Sequence, residues 1–150
     1  MVEAREDLLR HYRTMRDAML AAIEGLSDEQ MSEPSIDGWS VNDHLAHIAL
    51  WDDIRADEVV RISAGQATAW PMTGEQDAQF NALAYDLRRK FTAAQARWEW
   101  ERSRARLLDA IRAATPRGLD ASLYGEAPIR SSHETQHADW IQRWRSERGL

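Results

Sequence analysis

Apolar residues recur every three or four positions along most of the chain, and no stretch alternates for long with the period of two that a half-buried strand requires. In the first segment Leu8, Tyr12, Met15, Met19, Ile23 and Leu26 form one stripe, which predicts an amphipathic helix over residues 3–25 with Gly25 as its C-terminal cap. Ser27, Asp28 and Glu29 offer one further turn before a loop over residues 34–38 that leads to Trp39. Ser40 and Asp43 carry an N-terminal capping signal, because a hydroxyl and a carboxylate can satisfy amides that the first turn leaves unpaired. A second helix then carries Val41, Leu45, Ile48, Trp51, Val59 and Ile62 to about residue 64, and residues 65–71 break it.

Thr73 with Gln76 repeats the cap signal, and Phe80, Leu83 and Leu87 begin a third helical stretch. Thr92 with Gln95 offers a second start inside it, so this helix is expected to be long, with a kink near Phe91. Trp100, Leu107, Leu108 and Ile111 continue the stripe until Pro116 and Gly118 end it. After a loop through Tyr124, Gly125 and Pro128, Ser131 and Glu134 read as a capping box for a last helix over residues 132–147. The fold class is therefore all-α, a four-helix bundle, and with no repeat, linker or low-complexity tract residues 1–150 form a single domain.

Composition narrows the chemistry. There is no cysteine, which excludes disulfides, thiolate ligands and a cysteine nucleophile, so a metal would need His, Asp or Glu. The formal charge of -6 repels polyanions, and Arg88, Arg89, Lys90, Arg97, Arg102, Arg104 and Arg106 alternate with acids and apolar positions, so nucleic acid is not expected as a partner. No stretch approaches the roughly 20 apolar residues of a membrane span. The charged start MVEAREDLLRHYR is unlike a signal peptide, and the expectation is a cytoplasmic protein without a membrane partner. The seven tryptophans suit a bundle core as well as a pocket and decide nothing alone.

His133 and His137 are four apart in the last helix and project from one face within reach of a single ion. The same stripe continues through Trp140, Ile141 and Trp144, toward the interior. His47 lies close in helical angle to Trp51 and Ile54 and borders the Leu45 and Ile48 surface, also inward. Three neutral imidazoles around a divalent ion would leave a position open, as catalytic sites do. Spacing also permits a second reading, in which each ring is a core-edge residue satisfied by its neighbours, because it does not show that the second and last helices face one another. His44 and His11 are assigned to packing or surface, Glu134 and Asp43 to caps, and no catalytic residue is assigned.

Residues 38–51, GWSVNDHLAHIALW, resemble the second-helix signature of the DinB-like superfamily, which also includes the mycothiol-dependent maleylpyruvate isomerases. Residues 133–141, HETQHADWI, resemble the H-x-x-x-H motif that ends the same fold, in matching order and separation. The resemblance implies a bundle in which one histidine of the second helix and two of the last hold a divalent metal, carried here onto His47, His133 and His137, with zinc, nickel, iron or manganese as the ion. Relatives of known activity include transferases and isomerases that use low-molecular-weight thiols such as mycothiol or bacillithiol, and a homodimer is usual. With no cysteine in the chain, a thiol would have to come from a cosubstrate, and hydrolysis by an ion-activated water is equally permitted.

Three functions follow in order of expectation. The first is a metal-dependent enzyme, a thiol-dependent S-transferase or a hydrolase, acting on a small molecule. The second is a protein of the same fold that sequesters a reactive small molecule without turnover, its tryptophans lining the cavity. The third is an oligomeric interaction module whose exposed aromatics, such as Trp98, meet a partner chain. Trp70, Met72 and Tyr124 lie in interhelical loops, where they either shape a substrate mouth or cover a core edge.

Overall fold

The apolar stripes become buried faces of helices in the computed structural model, which describes residues 1–71 and 74–150. In chain order these are α1 (Arg5–Ile23), α2 (Asp28–Ser32), α3 (Val41–Ser63), α4 (Gly74–Arg88), α5 (Ala93–Ala113) and α6 (His133–Arg148), with a short 3-10 turn at Ala121–Leu123. The described residues contain no strand, only isolated bridges between Val2 and Asp120 and between Ile36 and Trp39. α3 packs along α5 and α1 along α6, and contacts of α1 with α5 and of α3 with α6 close the ring, so four long helices surround one core. α4 leans on α3 outside that ring.

Local chemistry sets most helix starts. At Ser40 and Asp43, at Thr92 and Gln95, and at Ser27 and Gln30, each side chain accepts from the other residue's backbone amide, which completes a capping box. The kink expected near Phe91 is a full interruption: helix α4 ends at Arg88, and Thr92 starts α5 afresh. The cap expected at Thr73 lies outside the described residues.

The capping box expected at Ser131 and Glu134 does not form. The N-cap residue Ser132 makes no side-chain cap bond, and Ser131 Oγ accepts from the His133 amide at 3.2 Å rather than from that of Glu134. Long-range partners draw the Glu134 carboxylate into the core instead. It accepts from Arg16 Nε at 2.9 Å and from Trp100 Nε1 at 2.7 Å, and Arg104 Nη2 lies 2.7 Å from its other oxygen. Arg104 Nε also donates to Asp52 at 2.9 Å. α1, α3, α5 and α6 thus meet in one buried charged layer.

That layer divides the core. Met19, Val41, Leu45, Ile48, Trp100 and Ile141 pack on one side of it, and Leu8, Tyr12, Val59, Leu107, Ile111 and Ile129 on the other. Removing one member of such a buried network strands the charge of its partner, at a cost of about 3–5 kcal/mol. The layer fixes the register between α3 and α6, the helices that carry the histidines.

Candidate metal centre

The helices that carry the histidines, α3 and α6, do face one another. His133 Nε2 lies 3.0 Å from His47 Nε2 and 3.0 Å from His137 Nε2, so three imidazole nitrogens converge on one point. Three nitrogens bound tetrahedrally at about 2.0–2.1 Å from an ion stand about 3.3 Å from one another, so the observed spacing lies close to a chelating set.

The protonation of the rings suits a cation. Burial pushes His47 and His137 down to about 3 and His133 to about 2, so all three are neutral near pH 7 and offer lone pairs. Among the described residues, buried His133 Nδ1 has no hydrogen-bond partner, and its Nε2 meets only the two other imidazoles. Convergent lone pairs repel unless a proton or a cation lies between them. The residues therefore fit a divalent ion, and imidazole donors suit zinc, nickel and iron in particular.

A fourth imidazole supports the three. His44, expected to be packing or surface, is buried, and its Nδ1 lies 2.7 Å from Nδ1 of His137. If His137 offers its Nε2 lone pair to an ion, its Nδ1 carries the proton and donates it to His44 Nδ1. His44 then holds its own proton on Nε2. Burial lowers His44 as well, to about 4, which keeps that ring a neutral acceptor. His11 lies elsewhere, with its Nε2 2.8 Å from the Ser131 carbonyl.

Aromatic rings flank the cluster. The Trp39 ring sits 5.4 Å from His44 and 5.2 Å from His47 and stacks on Tyr85 of α4 at 5.0 Å, while Trp140 lies 4.8 Å from His137. Two open clefts meet at the cluster and share Asn81, His133 and Gln136. One, of about 360 Å³, runs between Trp39 and Trp140. The other, of about 540 Å³, runs past Trp51, Arg55 and Glu126. Trp51 Nε1 donates to Asn81 Oδ1 at 2.8 Å, which orients that amide.

Gln136, Asn81 and Arg55 were not singled out in the sequence. Gln136 stands three residues after His133 on the same helical face, a usable signal, whereas Asn81 depends on how α4 folds back over α3. The loop aromatics cover core edges: Trp70 packs at 5.7 Å on Trp51 and 5.1 Å on Phe80, and Tyr124 donates its hydroxyl to the Gly118 carbonyl at 2.6 Å. Met72 lies outside the described residues.

The family model of the DinB superfamily matches residues 11–146, nearly the whole chain, including all three converging histidines. No curated protein and no solved structure matches the chain.

Proposed function

The chain belongs to the DinB superfamily, and on that footing we propose that it is a divalent-metal-dependent transferase: His47, His133 and His137 hold the ion, and a low-molecular-weight thiol is the cosubstrate. The observation that carries this reading is a pair of adjoining clefts at the three-histidine cluster, one bordered by all three rings and the other by His133. A transfer between two small molecules needs room for both, one on each side of the reacting point, whereas water needs no cleft of its own.

A divalent ion in that position would supply Lewis acidity, lowering the pKa of a thiol brought to it so that the thiolate forms near neutral pH. The chain contributes no thiol, since it has no cysteine. Its own residues position and shield. The Nε2 atoms of the three histidines provide the lone pairs, and His44 holds the His137 ring in the tautomer that frees its Nε2. Trp39 and Trp140 wall one cleft, and the Asn81 and Gln136 amides border both clefts as hydrogen-bonding groups for the reactants.

The test is turnover of a chromogenic electrophile, 1-chloro-2,4-dinitrobenzene, by protein loaded in turn with zinc, nickel, iron or manganese, with mycothiol, bacillithiol, glutathione or no thiol. The expected result is product that requires both thiol and metal and disappears when His47, His133 and His137 are each changed to Ala. Product released by water alone would replace the transferase with a hydrolase. Tight binding of the electrophile without product would leave a sequestering protein.

A further inference from the structure

Arg55 lies on α3 two helical turns beyond His47 and is only 5% exposed, yet it borders the cleft of about 540 Å³ that also contains His133. Its Nε donates to the Pro128 carbonyl at 3.1 Å, and among the described residues this is its one hydrogen bond. The nearest carboxylate oxygen, Asp52 Oδ1, stands 3.7 Å from its Nη1, beyond hydrogen-bonding distance.

The buried charged layer does not balance. Among the described residues the ion pairs of Arg16, Arg55 and Arg104 reach Asp52 and Glu134, three guanidinium groups against two carboxylates, while the third buried carboxylate, Glu58, is taken by Thr68, the Ala69 amide and Arg61. The short pairings belong to the other arginines: Arg16 with Glu134 at 2.9 Å, and Arg104 with Asp52 at 2.9 Å and with Glu134 at 2.7 Å. The excess positive charge therefore rests on Arg55. A buried cation is costly unless an anion reaches it, and on its cleft side Arg55 has no ion pair among the described residues.

The other acids of that cleft make no ion pair with Arg55 among the described residues. Asp77 and Glu126 border the cleft, but they lean on each other: the contact with Asp77 raises the Glu126 carboxyl above its usual range. The Arg55 charge also reaches the cluster, where it helps to hold His47 and His133 in the neutral form.

We propose that Arg55 is the anion-binding residue of the substrate cleft, gripping a carboxylate of a small substrate whose reacting group lies at the His47–His133–His137 cluster. A planar guanidinium matches a carboxylate through two parallel hydrogen bonds. The position of the reacting group rests on the metal-centre reading above, whereas the anion site stands on the charge imbalance alone.

The experiment titrates succinate, with uncharged succinamide as control, into metal-free and zinc-loaded protein, and follows the fluorescence of the tryptophans, one of which, Trp51, lies 6.0 Å from the Arg55 guanidinium. Succinate is expected to bind at least about tenfold more tightly than succinamide. Arg55→Met should abolish that preference in a protein whose circular dichroism stays helical, with a lower melting temperature where the Asp52 contact and the bond to the Pro128 carbonyl are lost. Arg55→Lys, which keeps the charge and loses the fork, should retain only part of it. Equal binding of succinate and succinamide by the unaltered protein would overturn the proposal, as would a preference that survives in folded Arg55→Met. Succinate binding that depends on Arg55 in a protein that takes up no zinc would instead overturn the metal reading and leave the anion site standing.

Discussion

His44 and His47 lie one turn apart on α3 and both face inward, so helical spacing cannot say which of them reaches the cluster. The outcome is decided by reach: His47 Nε2 meets His133 Nε2, while His44 meets only the far nitrogen of His137. The three converging histidines were legible in the sequence because two sit four apart on one helix and the family signature supplies the third, but the support given by His44 depends on a contact across 93 residues. His44→Phe is expected to keep the helical fold and to weaken metal affinity by about 10–100-fold, the usual effect of losing a group that orients a ligand. His44→Asn, which restores an acceptor, should recover part of that loss. Competition with a chelating dye reads both, and unchanged affinity in His44→Phe would remove it from any supporting role. The same rings make stability depend on pH. His44, His47, His133 and His137 all have folded-state values lowered by burial, from the usual 6.5 to between about 2 and about 4. Between those values and 6.5 the unfolded chain binds protons that the folded one does not, so stability rises with pH across that window. The metal-free protein should show its full stability above pH 6.5 and lose it progressively on acidification toward pH 4. Urea midpoints at pH 7.5, 6 and 5 would reveal this, and midpoints that do not fall would contradict the burial of these groups.

Helix boundaries followed local rules wherever the deciding contacts were local. The boxes at Ser40 and Thr92 lie within three residues of their partners, so they were readable and formed as expected. Glu134 satisfied the same rule at the start of α6, yet Arg16, Arg104 and Trp100 took its carboxylate, and none of these is near in sequence. The loops beside the clefts depend on an equally distant contact. Glu126 donates its amide to the Trp70 carbonyl at 2.9 Å, and a Cβ on Gly125 would stand only 2.6 Å from that oxygen. Only a residue without a side chain allows the two loops to approach so closely. Gly125→Ala should therefore cost about 1–3 kcal/mol, the typical cost of overpacking, and shift the tryptophan emission as Trp70 moves. An unaltered urea midpoint would mean that the two loops are not held together.

The bundle as a unit was legible as a class rather than as an arrangement of partners. Helical periodicity identified an all-α chain, but it did not single out the charged layer that sets the register of four helices, and Arg104 stood only as one of several basic residues alternating with acids and apolar positions. A signal was present: Arg104 stands four residues after Trp100 and three before Leu107, on the same buried stripe, and Asp52 stands four after Ile48. A charge on an apolar stripe of one helix, met by opposite charges on the stripes of two others, marks a buried network. That network places α3 and α6 so that His47, His133 and His137 converge, and whether they hold an ion can be read directly. Protein purified without added metal or a histidine tag should contain zinc, nickel, iron or manganese near one equivalent per chain by elemental analysis, and the variant with all three histidines changed to Ala should contain none. Absence of metal from the parent protein, with no tight uptake on adding any of the four ions, would contradict the metal centre and the transferase with it.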